Sequence, residues 1–207
     1  MACANSIKCL IFLFELDTIA SSEVINIPLT HVGTIPLDTE RLHLRRFALD
    51  DATDMFNNWA HDAEVTKYLV WQPHANLDAT KEILATWTKD YEAPEKYLWA
   101  IVLKETNQVI GSIGLKPNDA LQRAEIGYCI GRAFWNKGIM TEALIRVLDF
   151  GFTTLGLTRM QACHHTANPQ SGKVMLKAGM QYEGCLKKWS FNNQGALVDC
   201  EMYAAVK

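Results

Sequence analysis

A carboxylate and a turn that could bind an anion lie close together in residues 125–152, EIGYCIGRAFWNKGIMTEALIRVLDFGF. The alternation at its start predicts a strand, one face of which carries a single carboxylate, Glu125, among very small side chains. A loop with two glycines then leads to an amphipathic helix whose first turn holds Thr141 and Glu142. Free N–H groups at a helix start, approached by a bare backbone, favour an anion, most often a phosphate.

The common nucleotide-binding loops do not fit this stretch. A Walker-type loop requires Gly, four residues, then Gly-Lys-Ser/Thr, whereas Lys137 here precedes Gly138. The dinucleotide pattern G-x-G-x-x-G is also missing. The anion is therefore part of another kind of ligand.

The stretch resembles motif A of the Gcn5-related N-acetyltransferase (GNAT) superfamily, whose Gln/Arg-x-x-Gly-x-Gly/Ala loop binds the pyrophosphate of acetyl-CoA. AEIGYCI followed by FWNKGIMTEAL is similar to the RimJ/RimL-type branch, which acetylates the N-termini of ribosomal proteins. Trp135 stands where Gln or Arg is usual, and Met140 stands where Gly or Ala is usual. These substitutions leave the backbone N–H groups in place, because the backbone does not depend on side-chain type.

A second segment, NPQSGKVMLKAGM at residues 168–180, predicts a helix. Asn168 suits the N-cap, Pro169 the first helical position and Gly179 the C-terminal stop. Helical spacing places Ser171 on the stripe that faces the sheet. The segment resembles motif B of the same superfamily, which closes the acetyl-CoA site, and the resemblance as a whole covers residues 39–206.

The rest of the chain supplies the elements that position these groups. The order strand, helix, strand from residue 124 to residue 164 predicts a parallel pair joined by a crossover helix. The resemblance implies a mixed α/β (α+β) GNAT fold, a mostly antiparallel sheet with a splayed parallel strand pair and helices on both faces. Further elements are predicted as strands at 40–47, 97–103 and 109–115, helices capped by Asp50 or Asp51, by Asp62 and by Asp78, and a hairpin at 182–191 and 196–206.

One domain is expected at residues 37–207, preceded by an N-terminal extension at residues 1–36 that lies outside the resemblance. The apolar run at 9–14 is only six residues long before acidic residues interrupt it, which disfavours a signal peptide or a membrane span. A formal net charge of −3 without a basic run disfavours direct nucleic-acid binding.

The cysteines and histidines favour no metal site. Six cysteines without a C-x-x-C pair indicate reduced thiols in a cytoplasmic protein. His164 and His165 are adjacent on a predicted strand, so they point to opposite faces and cannot converge on one ion.

The resemblance implies acetyl transfer from acetyl-CoA to a primary amine by direct attack in a ternary complex. Glu125 is the expected base or water-orienting group, although it could also be a plain surface carboxylate. Ser171 is the expected acid for the departing thiolate, because residues 168–180 contain no tyrosine. The expected acetyl-CoA contacts are Cys129, Ile130, Asn136, Lys137, Gly138, Ile139, Met140, Thr141, Asn168 and Ser171.

The acceptor is less constrained. The branch favours a protein N-terminal α-amine, while a polyamine, an amino acid, an antibiotic or another small amine stays open. Trp71 and His74 lie in a loop where the family places acceptor contacts. A non-catalytic acetyl-CoA sensor is the rival from another class, and it would not need Glu125 and Ser171 to converge. Monomer and homodimer both remain open.

Overall fold

The computed structural model describes residues 29–207. One eight-stranded sheet forms its centre, in the order β1-β2-β3-β4-β5-β6-β8-β7. The strands are β1 (Leu37–Asp38), β2 (Leu42–Arg45), β3 (Tyr97–Leu103), β4 (Gln108–Asn118), β5 (Arg123–Ile130), β6 (Arg159–His165), β7 (Gln181–Phe191) and β8 (Leu197–Val206). The α-helices of the described residues are α1 (Ala52–Met55), α2 (Ala63–Thr66), α3 (Leu77–Asp90), α4 (Ile139–Phe150) and α5 (Pro169–Lys177).

The pair β5–β6 is parallel, and every other neighbouring pair of the sheet is antiparallel. Its ladder covers only three positions and ends where Glu125 pairs with Gln161. Beyond that point β5 stays paired with β4 as far as Ile130, whereas β6 stays paired with β8 as far as His165. The two strands therefore diverge, which confirms the predicted splayed parallel pair and its crossover helix, α4.

Hydrophobic cores lie on both faces of the sheet. On one face α4 and α5 pack on β5 and β6, with Val147 and Met160 fully buried. On the other face α1, a following π-helical turn and α3 pack around Trp59 and Leu84. This arrangement confirms the expected helices on both faces, and it forces successive residues of β5 into different cores.

Residues 29–36 are held along β3. Thr34 Oγ1 donates to the Lys96 carbonyl at 2.7 Å, and Trp99 Nε1 donates to the Ile35 carbonyl at 2.7 Å. Leu29 is buried in the core beside α4. The remainder of the predicted extension, residues 1–28, lies outside the described residues.

Two predicted boundaries are wrong for local reasons. The third helix begins after Asn76, whose Oδ1 accepts from Ala79 N at 2.9 Å, so Asp78 lies in the first turn instead of at the cap. The strand predicted at 109–115 continues further, because β4 pairs with β5 through Asn118. Within residues 29–207, no helix has the length and apolar character needed to cross a bilayer.

The close approach of β4 to β5 predicts that alanine substitutions at two glycines, Gly111 and Gly127, differ in their effect on stability. A Cβ on Gly111 would lie 2.5 Å from the Cys129 carbonyl oxygen and 2.9 Å from Ile130 Cα, whereas a Cβ on Gly127 meets nothing within 4 Å. We expect Gly111→Ala to lower the free energy of unfolding by about 1–3 kcal/mol through overpacking. Gly127→Ala is the matched control and should change it by less than about 0.5 kcal/mol. Urea denaturation measures both, and equal effects would contradict this packing.

Candidate functional site

The N-terminus of α4 forms an anion cradle. Asn136 (φ 60°) and Gly138 (φ 73°) are both left-handed, which turns the loop sharply into the helix. The first backbone bond of the helix runs from Glu142 N to the Gly138 carbonyl at 3.0 Å. The N–H groups of residues 139–141 therefore have no acceptor within the helix, as an anion site requires.

The side chains of this turn leave the backbone accessible. Ile139 and Met140 are buried in the core beneath the helix, so they offer their N–H groups alone. Lys137 is exposed, and its Nζ lies 5.7 Å from the centre of the Phe134 ring. Thr141 is half-buried. The backbone of the turn is thus accessible to a ligand, and binding of a pyrophosphate there stays a prediction.

The entry to this turn is held by Trp135. Its Nε1 donates to the Ile130 carbonyl at 2.9 Å, and Phe134 N donates to the Gly131 carbonyl at 2.9 Å. The Ile130 carbonyl, which we expected to face the pantetheine arm, is therefore occupied by the indole. Trp135, a departure from the motif, takes part in shaping the loop.

Backbone direction along β5 distinguishes two neighbours. Gly131 N donates to the Ile110 carbonyl of β4, and peptide groups alternate in direction along a strand. The N–H and C=O of Cys129 consequently face β4, while those of Tyr128 and Ile130 face the gap between β5 and β6. The family resemblance implied an acetyl-CoA contact from Cys129, whereas in the structure the backbone of Tyr128, and not that of Cys129, faces the gap.

The Cys129 side chain also has a structural environment. Its Sγ lies 3.3 Å from Ser112 Oγ, and it packs against the core formed with α1 and α3. Burial raises the pKa of the Cys129 thiol, so it stays protonated at neutral pH. No nucleophilic role follows from these contacts.

On the α4–α5 face, Tyr128 meets Ser171. The Tyr128 hydroxyl lies 2.9 Å from Ser171 Oγ and donates to the Ser171 carbonyl at 3.1 Å. Burial raises the pKa of Tyr128 far above its usual value, so the phenol remains a proton donor. Ser171 is half-buried in the first turn of α5, beside the diverging part of β5. The pair places two hydroxyls at one edge of the gap.

A buried polar cluster supports α5 from below. His164 Nδ1 lies 2.8 Å from the His165 carbonyl, and its ring stacks on Tyr203 with centroids 5.6 Å apart. His164 Nε2 lies 3.3 Å from Glu201 Oε2 without the alignment of a hydrogen bond, and it is buried without another partner among residues 29–207. Gly172 sits directly above: a Cβ there would be 2.5 Å from His164 Nε2.

Glu125 lies on the opposite face of β5 from Tyr128. It is exposed, shares its face with Cys129, and pairs in register with Gln161 of β6. Cys163 lies two residues beyond Gln161 on the same face of β6. Burial, followed by the nearby Cys200 and Glu125, raises the pKa of Cys163 to about 12. Glu125 and Ser171 therefore approach the gap from opposite faces of the sheet.

Asn168 occupies the N-cap position, with Pro169 as the first helical residue. Its side chain makes no capping hydrogen bond, and within residues 29–207 its amide has no partner. Asn168 N instead donates to the His165 carbonyl at 2.7 Å. The side-chain amide is thus available for a ligand, which is the interpretation we favour over a purely structural cap.

A cavity of about 650 Å³ lies on the Glu125 face, where β6 ends. Its lining comes from α2, the loop after it, the end of β6 and the turn between β7 and β8. The polar members include Glu64, Lys67, Gln72, His165 and Asn193. Gln72 Nε2 donates to the Asn193 carbonyl, so the loop and the turn meet over the cavity.

Trp71 and His74 flank the loop residues that line this cavity. Trp71 packs against the core around Trp59, with its ring centroid 5.3 Å from that of His74. His74 Nδ1 lies 2.8 Å from Thr80 Oγ1, and burial lowers the His74 pKa. Both side chains hold the loop from beneath, and neither lines the cavity. A role for them in acceptor binding stays a prediction.

Comparison with known proteins identifies the same kind of domain. A family model described as an acetyltransferase (GNAT) domain matches residues 41–181. An uncharacterized N-acetyltransferase, p20, of Bacillus licheniformis is 35% identical over 172 residues, covering 83% of this chain and 96% of that protein. The ribosomal-protein-serine acetyltransferase of Escherichia coli (strain K12) is 33% identical over 107 residues, covering 51% of this chain and 59% of that protein.

A solved structure agrees with the sequence comparisons. The crystal structure of a GNAT-family acetyltransferase from Bacillus anthracis matches with a TM-score of 0.72 and 26% identity. The match covers 83% of this chain and 98% of that chain.

The close contact at Gly172 yields a prediction for the position of Ser171. A methyl group there would meet His164 Nε2 at 2.5 Å and the Tyr203 hydroxyl at 2.8 Å, so the first turn of α5 must shift away from β6 and β8. We expect Gly172→Ala to lower kcat on the order of 10-fold to 100-fold, because small misplacements of reacting groups are costly. Steady-state kinetics measure this, with the exposed neighbour Lys173→Ala as control. An unchanged kcat for Gly172→Ala would show that α5 tolerates the shift.

Proposed function

Since the chain belongs to the GNAT acetyltransferase family, whose members use acetyl-CoA as acetyl donor, we propose that it acetylates a protein N-terminal α-amine. The amine attacks the thioester directly, so that an amide bond forms and the bond to sulfur breaks. The amine loses one proton, and the sulfur leaves as a thiolate that requires stabilisation.

The observation that carries this proposal is the shared face of β6. Gln161, beside Glu125, and His165, in the cavity wall, lie on the same face of one strand. At about 3.3 Å per residue, the distance between them is roughly 13 Å. An extended chain end of about four residues spans that distance, with its α-amine near Glu125 and its following residues in the cavity. A single amino acid cannot occupy both.

The polarity of the cavity also suits a peptide. Amides of Gln72, Asn192 and Asn193 lie around it, together with the charges of Glu64 and Lys67. Such groups can bond to the N–H and C=O groups of an extended backbone. The similarity to a ribosomal-protein-serine acetyltransferase supports the same substrate class.

On the acceptor side of the gap, Glu125 is the proposed base. It is exposed, so it can take the amine proton either directly or through a water that it orients. Its charge contributes to raising the pKa of Cys163, which lies on the same strand face. The carboxylate needs no deep burial for this role if the acceptor itself covers it.

On the other side, Ser171 is the proposed acid for the thiolate. Its hydroxyl is within hydrogen-bond distance of Tyr128, whose raised pKa keeps it a donor. Tyr128 can therefore hold the Ser171 hydroxyl in place. Asn168, with its free amide, is proposed to bind the pantetheine arm, and residues 136–141 to bind the pyrophosphate.

A second candidate is a small-molecule amine acceptor. The cavity volume of about 650 Å³ is also within the range of small-ligand pockets. A polyamine, an amino acid or an antibiotic amine would then bind with its reacting amine beside Glu125 and the rest of the molecule toward the cavity.

The test is acetyl-CoA-dependent release of CoA thiol against N-terminal peptides and small amines. We expect turnover with free peptide N-termini, none with the same peptides blocked at the α-amine, and little with small amines. Glu125→Gln and Ser171→Ala should each lower kcat on the order of 100-fold or more while acetyl-CoA affinity is kept. Tyr128→Phe should lower kcat less, since it keeps the Ser171 hydroxyl and removes only its hydrogen-bond partner.

Glu82→Gln, an exposed carboxylate on α3, is the matched control and should leave turnover unchanged. Turnover of a small amine that exceeds that of every peptide would favour the second candidate. Full activity in Glu125→Gln or Ser171→Ala would remove that residue from the mechanism.

A further inference from the structure

Arg41 lies between the β1–β2 hairpin and the phosphate-binding turn. Its Nη1 donates to the Lys137 carbonyl at 3.0 Å, and its Nε donates to Glu142 Oε2 at 2.7 Å. One guanidinium thus binds both the last part of the loop and the first turn of α4. Nothing in motif A predicts this contact, because Arg41 lies 96 residues before Lys137 in the sequence.

Glu142 completes the connection from the helix. Its Oε1 accepts from Thr39 Oγ1 at 2.6 Å and from Arg41 N at 2.9 Å. Burial raises the pKa of Glu142, but the hydrogen bonds from Thr39 and Arg41 outweigh burial and lower the pKa overall. The carboxylate is therefore ionised at neutral pH and holds the guanidinium in a charge-assisted pair.

The Arg41 backbone is fixed in turn. Lys104 N donates to the Arg41 carbonyl at 2.9 Å, and the next residue, Leu42, is fully buried and pairs with Leu103 of β3. The guanidinium is consequently supported by the sheet instead of by a mobile loop. This makes Arg41 a rigid reference point for the turn at residues 136–138.

We propose that Arg41 is a positioning residue that holds the Lys137–Gly138 peptide in the conformation that binds the pyrophosphate of acetyl-CoA. The C=O and N–H of a trans peptide point in opposite directions. By fixing the Lys137 carbonyl, Arg41 therefore fixes the direction of the Gly138 N–H. Gly138 has φ 73° and, because it lacks a Cβ, can adopt many other conformations, so this contact helps to keep the turn in one of them.

Positive charge is not the main contribution of Arg41. Its guanidinium is paired with Glu142, so the pair as a whole is close to neutral. What the pair supplies is geometry: two donors of one planar group bind two acceptors that lie on different elements. A lysine cannot reproduce this fork, because its ammonium is a single point charge on a flexible chain.

The experiment compares two acetyl donors, acetyl-CoA and S-acetylpantetheine, which lacks the pyrophosphate. For Arg41→Gln we expect KM for acetyl-CoA to rise about 10-fold or more, with kcat at saturation kept, as for loss of a binding contribution. KM for S-acetylpantetheine should stay unchanged. Arg41→Lys should be nearly as impaired as Arg41→Gln, and Glu142→Gln should show the same selective loss.

Arg146→Gln is the matched control, since Arg146 is paired with Asp149 elsewhere on α4 and should leave both KM values unchanged. Equal loss with both donors in Arg41→Gln and Glu142→Gln would mean a general structural role and would overturn the proposal. Full recovery in Arg41→Lys would overturn it too, because charge alone would then suffice. The proposal rests on the proposed function, in which acetyl-CoA is the donor. Failure of that function would be recognised separately, because the wild-type protein would then turn over neither donor.

Discussion

The site depends on the point at which the parallel strands β5 and β6 stop pairing and diverge. β5 pairs along its whole length with β4, and β6 pairs along its whole length with β8, but these two strands pair with each other only at residues 123–125 and 159–161. Beyond those positions each strand follows its other partner. In the resulting gap the peptide groups of Tyr128 and the N–H of Ile130 have no strand to pair with, so they can bind a ligand instead.

This gap joins two chemically different sides. On one side the start of α4 offers bare N–H groups, and α5 presents Ser171 with Asn168 nearby. On the other side an exposed carboxylate, Glu125, lies on the same strand face as a polar cavity. A donor with a long phosphorylated arm and an acceptor with a free amine can therefore enter from different directions and meet at the strands. Opposite placement of Glu125 and Ser171 suits such an encounter, since each residue serves a different reactant.

Much of this architecture could be predicted from local sequence. The bounds of β3 match the apolar run at 97–103, and Pro169 and Gly179 mark the ends of α5 as expected. The crossover helix and the expectation of an anion cradle followed from the two motifs, whereas the splay of the parallel pair was implied by the family resemblance. The helix and the turn before it depend on neighbouring residues, which is why a pattern of spacing is sufficient to find them.

Features that depend on register or on distant contacts could not be predicted. Periodicity assigned Cys129 to a face, but only its pairing with β4 shows that its peptide groups turn away from the gap. Asn76 and Asp78 are both suitable caps, and the helix selects the first through its bond to Ala79. Arg41 and Glu142 are 101 residues apart, so nothing in either local sequence indicates that they meet.

The central claim is that one ligand bridges the α4 cradle, the strand gap and α5. Hydrogen–deuterium exchange of the full chain, with and without acetyl-CoA, tests this claim most directly. The account predicts that acetyl-CoA slows exchange at the amides of residues 128–130, 136–141 and 168–172 together. Slowed exchange confined to the cavity around residues 192–194, or no change at the α4 cradle, would contradict it.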